Sequence, residues 1–514
     1  MLNFQIRFII LVDKLKQHIT FNYFYMKKLV LLICILTGST YTVFGQAEGS
    51  VVSATARGGV ATTMVTDYQS IGINPANLGL RGKYETKHVT FGLLETNASG
   101  FVQGASLSQI KNLFLSNDSL TSSQRSQGAS LFKGSTVSAN ADVMLFGLSI
   151  QSDKLGGLAF SVNDVVRTYA GISQNFSNFI FSGASSTQYF DSLKLGDGTK
   201  VANDPSQYSN YYNNHQGITQ GITSQPFSLG HIISGSNFKA QYNRTFNAAY
   251  SREVFRNEVF TLSAGIGVKY VMSYYYMNIS ADNGVLKGNI ANNPAFSSFS
   301  PNLSSPGKVN GGNVISPVGQ GYGIDLGITG TILDRLKVGV SVVNIGAITY
   351  NKNTYQVKDT TITTMNYSPS TADGLNQTIF WKKSNSFTVQ MPTMFRFGTS
   401  ISLLEKKIEV GTDIVVPLNH EAGNINKAIY AIGGDAYVTR WFKVSTGTSI
   451  GGNYANSIYY YRPHVCIPLG ITFIAGENGG WEVGFSTRDI VSLINTNTKS
   501  PLYSMGMCVF RFRL

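Results

Sequence analysis

Very short polar turns recur along this chain, and each lies between segments in which apolar residues alternate with small or polar ones. Such alternation is typical of β-strands that separate two different environments. The connections between these hairpins are mostly longer, and several run to tens of residues. Short turns on one side and long loops on the other are typical of an outer-membrane β-barrel, whereas a soluble sandwich has no reason to sort its loops by length. The six turns are Ser152-Asp153-Lys154, Arg252 to Glu258, Asp334-Arg335, Glu405-Lys406, Thr439-Arg440 and Gly476 to Gly480.

The strands that flank these turns number about 14, an even number, as single-chain bacterial barrels require. No apolar run after residue 46 approaches the ~18 residues of a transmembrane helix. The sequence therefore predicts an all-β fold, a transmembrane antiparallel β-barrel formed by residues 87–514, with both chain ends on the short-turn side. The predicted strands are residues 87–95, 136–151, 155–168, 237–252, 258–279, 319–333, 335–350, 387–404, 407–417, 427–438, 441–454, 460–475, 480–493 and 499–514.

Residues 26–45 have the pattern of a cleaved secretory signal peptide. Met26-Lys27-Lys28 forms its basic start, and the apolar run from Leu29 to Leu36 follows. Residues 1–25 then read as a mis-called extension, or alternatively as an amphiphilic N-terminal addition. Cleavage ahead of residue 46 removes five basic and one acidic residue and leaves a net charge of +9. No basic run or recognition helix accompanies that charge, so nucleic acid is not an expected partner. The outer-membrane lipid around the barrel is.

The alternation also assigns side chains to the two faces of the wall. Ile266 and Leu326 fall on the apolar face, which we expect to contact lipid, and Ser263 falls on the lumen face. Charges enclosed by a barrel are expected to pair with each other or with a plug. The alternative is a ladder of charges that steers an ion or substrate. The predicted lumen charges are Lys269, Asp325, Lys337, Arg396, Asp413, Lys443, Arg488 and Arg511.

Residues 46–86, between the signal peptide and the first strand, carry a distinct pattern. Gly58-Gly59 comes first, Asp67 follows a spacer, and Asn74-Pro75-Ala76 leads toward the barrel. Proline fixes its own φ and an asparagine side chain closes a local turn, so this run favours a compact, non-helical shape. The barrel of 14 strands leaves an interior larger than its own side chains fill. We therefore predict that this segment is a plug inside the barrel; a solvent-exposed turn is the alternative.

This pattern resembles the N-terminal plug of the FadL-like superfamily. That superfamily contains transporters of long-chain fatty acids and aromatic hydrocarbons, and also PorV-type barrels of type IX secretion. The resemblance implies a channel in the outer membrane of a Gram-negative bacterium for a small, mostly apolar molecule. The alternative is a PorV-like barrel that docks secreted or surface proteins, which the long Tyr-, Asn- and Ser-rich connections at residues 169–236 and 279–318 favour.

Catalytic chemistry is not expected, and neither a metal nor a cofactor is predicted. The G-x-S-x-G pattern at residues 447–451 lies within an alternating strand, whereas a nucleophile elbow needs a turn into a helix. A lipid-modifying enzyme is a remote alternative that needs a histidine-based constellation at the rim. His231, near Ser234 and Ser236, is its best candidate, and His420 beside Glu421 is the next.

Three further segments carry predictions. The alternating C-terminal run Phe510-Arg511-Phe512-Arg513-Leu514 resembles the signal that barrel-assembly machinery recognises. The clusters Tyr274-Tyr275-Tyr276 and Tyr459-Tyr460-Tyr461 are expected in an aromatic girdle at the membrane interface, or else against a loop. In the long loops, residues 105–117 and 122–133 are predicted as short helices and residues 191–201 as a hairpin.

Overall fold

The computed structural model describes residues 51–80, 88–114, 121–152, 154–293, 316–367, 380–425, 427–452, 467–476, 480–495 and 497–514. The predicted signal peptide, residues 1–25 and the Tyr459-Tyr460-Tyr461 cluster lie outside these ranges. None of the described helices is long and apolar enough to cross a membrane.

Fourteen antiparallel strands close into a barrel, as the sequence predicts. Each strand pairs with its neighbours in chain order, and β1 pairs with both β2 and β14, which closes the ring. The strands are β1 Val89–Val102, β2 Thr136–Ser152, β3 Gly156–Gly171, β4 Ser236–Arg256, β5 Phe260–Asp282, β6 Gly319–Ile332, β7 Leu336–Tyr350, β8 Met394–Leu403, β9 Ile408–Pro417, β10 Ile429–Tyr437, β11 Phe442–Gly451, β12 Leu469–Ala475, β13 Trp481–Thr487 and β14 Leu502–Arg513.

The six predicted turns fall between consecutive strands at one end of the barrel, together with the start of β1 and the end of β14. The turn predicted for Arg252 to Glu258 is shorter than expected, because β4 continues to Arg256. The turn after β2 requires glycine at position 156, which has a φ of +90° and lies against the Ser251 carbonyl. A Cβ there would come within 2.2 Å of that oxygen. Short loops at one end and long loops at the other match the loop pattern of the sequence.

The strands differ greatly in length around the ring. Strands β4 and β5 contain 21 and 23 residues, whereas β12 and β13 contain seven each. About 9–11 residues suffice to cross a bilayer, so β4 and β5 continue far beyond it on the long-loop side. The Tyr274-Tyr275-Tyr276 girdle prediction is wrong for this reason. These rings lie on the extended part of β5, are 3–9% exposed, and pack under loops.

The strand predicted for residues 480–493 is too long. Strand β13 ends at Thr487, and a short helix, Ile490–Ile494, follows it. The Asp489 carboxylate accepts a hydrogen bond from the Val491 amide at 3.2 Å and so caps this helix. An Asp in front of an apolar run is thus the signal that the strand count overlooked.

The extended strands and the described parts of the long connections, residues 103–114, 121–135, 172–235, 283–293 and 351–367, form what we call the loop cap. It contains the predicted helices, found at Leu107–Phe114 and Ser122–Phe132, and the predicted hairpin, found at Ser192–Leu195 and Lys200–Ala202. That hairpin belongs to a four-stranded sheet that also contains Ile218–Ser228 and Thr361–Asn366. A continuous apolar core lies beneath, with Phe176, Phe179, Phe190, Leu229, Ile232 and Trp381 among its buried members.

The outer wall of the barrel is an apolar belt. Ile266 and Leu326 are 46% and 47% exposed on it, whereas Ser263 faces inward and is 6% exposed, so the predicted faces are confirmed. Aromatic side chains mark both margins of this belt. Trp441 and Trp481 lie exposed near the turns, and Tyr322 and Tyr430 lie exposed toward the loops. This distribution is typical of a barrel that spans a membrane.

Candidate functional site

Residues 51–80 lie inside the barrel, and most of their side chains are buried. We call them the N-terminal segment. They form three short helices, Val52–Ala56, Asp67–Ser70 and Pro75–Gly79, joined by turns. The first packs against β11 to β14 and β1, whereas the last packs against β2 to β6, so the segment crosses the lumen. The wall therefore encloses a folded piece of chain and not an open channel at this level.

The Asn74-Pro75-Ala76 motif is bound tightly to the wall. The Asn74 side-chain oxygen accepts a hydrogen bond from the Ala76 amide at 3.2 Å, and its nitrogen donates to Thr329 Oγ1 at 2.9 Å. Pro75 begins the last short helix. Glycines in the wall make room for the motif: a Cβ on Gly327 would lie 2.1 Å from Asn74 Oδ1, and one on Gly265 would lie 2.4 Å from Pro75.

The other residues of the motif are also held by strands. Gly58 and Gly59 have φ values of +72° and +107°, and the Gly58 carbonyl accepts a hydrogen bond from Arg488 at 3.0 Å. Asp67 forms an ion pair with Arg511. The Asp413 carboxylate accepts hydrogen bonds from the backbone amides of Ala61 and Thr62 at 3.1 and 2.9 Å. The segment is therefore attached along its length by charged and polar groups.

All eight predicted lumen charges are buried or half-buried, and each has a polar partner. Some pair within the wall and others contact the N-terminal segment. Removal of one member of such a buried pair is expected to cost about 3–5 kcal/mol, because the other charge stays uncompensated. The ion pairs are Lys269–Asp325 at 2.9 Å, Lys337–Glu409 at 2.9 Å, Arg396–Asp413 at 3.2 Å, Lys443–Asp435 at 3.9 Å, Lys443–Glu482 at 3.7 Å and Arg511–Glu482 at 2.8 Å.

Several interior charges were missed by the sequence interpretation, and Arg57 and Glu95 are two of them. Arg57 pairs with Asp435 at 2.8 Å and donates to the Val60 carbonyl at 3.0 Å. Glu95 is 1% exposed and accepts hydrogen bonds from the Tyr68 hydroxyl and the Gln69 side chain. Glu95 was taken as the end of the first strand. An isolated acidic residue within an alternating run was the available signal.

A cavity of about 160 Å³ lies between the N-terminal segment and the long-loop end of the barrel. Its two sides differ in chemistry. The floor is apolar, with Val51, Ala54 and Ile71, and the wall from β5, β7 and β8 is mixed: the apolar Val271, Ile348 and Met394 lie beside the polar Lys269, Asn344 and Arg396. The opposite wall is polar and comes from β2 to β4, with Asp142, Asn163, Arg167, Asn243, Thr245 and Asn247. Arg167 and Asp142 form a bidentate pair at 2.7 and 3.0 Å, so their charges compensate each other.

The residues of the enzyme alternative do not come together. Ser449 lies within β11 and is 6% exposed. His231 lies in a short helix of the loop cap, and the Ser228 hydroxyl caps that helix by accepting from the His231 amide at 3.1 Å. The His420 carbonyl accepts a hydrogen bond from Lys239. No cluster of His, Cys, Asp or Glu in the described ranges has the arrangement of a metal site.

This chain is similar to one protein family over part of its length and to several solved structures. Residues 218–458 match a family described as a family of unknown function, DUF5723, over less than half of the chain. No curated protein sequence matches. Among solved structures, similar chains include a mutant of the monoaromatic hydrocarbon channel TodX, which is known from P. putida; it is 11% identical, has a TM-score of 0.44, and the match covers 92% of this chain and 100% of that one.

Two further solved structures are similar over nearly their whole length. The toluene transporter TbuX of Ralstonia pickettii is 12% identical with a TM-score of 0.40, and the match covers 91% of this chain and 99% of that one. A FadL homologue of Pseudomonas aeruginosa is 10% identical with a TM-score of 0.38, and the match covers 90% and 96%. FadL-type barrels are thus among the similar structures. At these identities the function must be drawn from this chain's own residues.

Proposed function

We propose that the protein is an outer-membrane channel of FadL-like type, which passes a small, mostly apolar molecule and is closed at rest by its N-terminal segment. The observation that carries this proposal is the cavity on the loop side of that segment, with its apolar floor and partly apolar wall. A cavity of about 160 Å³ is close in size to one that holds a single aromatic ring. The N-terminal segment lies across the lumen on the short-turn side of the cavity, so passage requires this segment to move.

The first experiment tests passage. The lipophilic dye 1-N-phenylnaphthylamine would be added to cells that produce the protein, and its fluorescence would report entry through the outer membrane. We expect faster entry than in cells without the protein. Ile348→Trp fills the cavity from its mixed wall and should slow entry. The matched control is Ile345→Trp, three residues away on the same strand, where the side chain is 39% exposed on the outer face. Equal entry in all three strains would contradict the proposal.

The second experiment tests the plug. Mature protein that lacks residues 46–80 should assemble but conduct ions, because the deletion removes the polar and charged groups that fill the lumen. Planar-bilayer conductance is the measurement. Currents no larger than those of the full mature chain would mean that the segment does not close the barrel.

The proposed location follows from the apolar belt and the aromatic margins of the barrel. We expect the protein in the outer-membrane fraction after signal cleavage near residue 46, with a shifted band on unboiled gels. Phe510 lies on the outer face of β14 at 44% exposure, and Leu514, directly after the strand, is 72% exposed, so both are accessible to the barrel-assembly machinery. Recovery as a soluble periplasmic protein would contradict this location.

A second candidate function is favoured by the loop cap. The cap has its own apolar core and a four-stranded sheet, so its outer surface is preorganised for contact with another protein. This is the arrangement expected of a PorV-like barrel that docks secreted or surface proteins. Cross-linking from a photoreactive residue at Tyr212, which is 48% exposed on the cap, would test it. A specific cross-linked protein supports docking, and its absence at several exposed cap positions would count against docking.

A further inference from the structure

Asn243 has a buried side chain whose hydrogen-bonding capacity is only partly used within the barrel. It lines the polar wall of the cavity and is 7% exposed. Its side-chain oxygen has no hydrogen-bond partner among the described residues. A buried acceptor left in this state costs about 1–3 kcal/mol, so such atoms are normally paired or reserved for a ligand or water.

A β-bulge beside Asn243 changes the direction of its side chain, which lines the cavity. The pairing of β4 with β5 shifts by one residue between Tyr242 and Asn243, and such bulges re-aim a side chain. Two more shifts occur in the walls near the cavity, after Met144 on β2 and between Ile324 and Leu326 on β6. The wall therefore departs from regular pairing where the cavity is formed.

The charges around the cavity are compensated. Asp142 and Arg167 bind each other through two contacts, and the Lys269 ammonium binds Asp325 at 2.9 Å and also Asn344. An ionic ligand would need an unpaired opposite charge, which these pairs do not supply. A neutral group that donates a hydrogen bond fits the Asn243 oxygen. The apolar floor and the apolar side chains of the mixed wall fit a hydrocarbon body.

We propose that the cavity binds a small neutral amphiphile, with an apolar body against the Val271 and Ile348 side and one O–H or N–H donor directed at Asn243 Oδ1. This inference deepens the proposed channel function and rests on it for the direction of traffic. It names the class of molecule: phenol-like or alcohol-like compounds are selected over pure hydrocarbons and over ions. A water molecule on Asn243 satisfies the same oxygen but leaves the apolar half of the cavity without a partner.

The test uses two probes that differ in one donor, 4-iodophenol and 4-iodoanisole. Crystals of the mature protein would be soaked over a concentration series, and the anomalous signal of iodine would give position and occupancy. We expect 4-iodophenol in the cavity, with its hydroxyl on Asn243, and half-occupancy at a concentration about 5–10-fold lower than for 4-iodoanisole. That ratio corresponds to one net hydrogen bond.

Two variants separate the donor preference from general packing. Asn243→Leu should remove the preference and bind both probes alike. Thr245→Val is the matched control, because Thr245 lines the same wall but its hydroxyl is already bonded to neighbouring side chains and backbone; it should keep the preference. If Asn243→Leu does not assemble, the comparison of the two probes in the unaltered protein still decides the question.

Equal occupancy of the two probes in the unaltered protein would overturn the inference, and so would an iodine-free cavity with only water on Asn243. The proposed channel function can be contradicted independently of the binding site. If 4-iodophenol occupies the cavity with the expected preference but the dye enters cells no faster with the protein than without it, the binding site stands and the channel function does not.

Discussion

The loop cap and the barrel interior are both buried, but the contacts that stabilise them differ in polarity. The cap core is apolar, with Phe176, Phe179 and Phe181 at its centre. The interior around the N-terminal segment combines apolar contacts, such as those of Val60 and Leu78 with the wall, with many ion pairs and hydrogen bonds, and Arg57 and Tyr68 are its largest fully buried side chains. An apolar core loses its stabilisation when it opens, because it then meets water. The polar contacts of the segment can exchange their partners for water, whereas its buried apolar residues, such as Val60 and Leu78, favour its place in the lumen.

The largest effect is expected in the cap. Phe179→Asp removes a ring that is fully buried and in edge contact with Tyr189 at 5.5 Å, and it buries a charge without a partner. The cost should exceed about 5 kcal/mol for the cap. Limited proteolysis should then cut the cap while the barrel keeps its heat-dependent gel shift. Tyr212→Asp, at an exposed position, is the control. A resistant cap in the Phe179 variant would mean that the cap does not depend on this core.

The interior should respond next. Arg511→Met leaves Glu482 and Asp67 with one fewer buried partner, and we expect a loss of about 3–5 kcal/mol in the free energy of unfolding. Urea unfolding in lipid vesicles, followed by tryptophan fluorescence, is the measurement. Arg440→Met, in an exposed turn, is the matched control and should have little effect. Equal stability of the two variants would indicate that the interior is not held by its charges.

The lipid face gives a smaller change. Ile266→Arg places a charge on the outer wall and should cost about 2–4 kcal/mol in a bilayer. Ser263→Asn, on the lumen face of the same strand, should cost less. The same vesicle assay compares them. A larger loss for Ser263→Asn would reverse the assignment of the two faces.

The smallest effect is a pH response confined to the cap. The His215 ring and the Thr199 amide bind the Asp197 carboxylate and lower its pKa to about 2. Because the pKa of Asp197 is depressed, its carboxylate stabilises the folded hairpin at pH values above the ordinary pKa of 3.8. This stabilisation is lost as the pH falls toward 2. We expect the NMR signals of this hairpin to broaden over that range. Asp197→Asn should abolish the transition, and an unchanged transition in that variant would assign it to another group.

Strand number and faces were predictable because alternation and short turns are local properties of the chain. The ends of long strands were not, because the height at which a strand leaves the membrane depends on its neighbours. Strand β1 was predicted to end at residue 95, but it continues to Val102, past Leu94, whose φ is +53°. Lumen charges such as Lys269 were found from their face alone. Their partners depend on the stagger between strands, and the cavity depends on how the N-terminal segment lies within the ring.

The close fit at Gly265 and Gly327 has one more consequence. Because these glycines lack side chains, the wall has a surface complementary to Asn74 and Pro75. The strands that form this surface are far away in sequence. We expect a barrel without residues 46–80 to keep this complementary surface. A synthetic peptide of residues 51–80, supplied from the short-turn side, therefore has a complementary surface to dock on, and its binding should return the conductance of the truncated barrel toward that of the full chain.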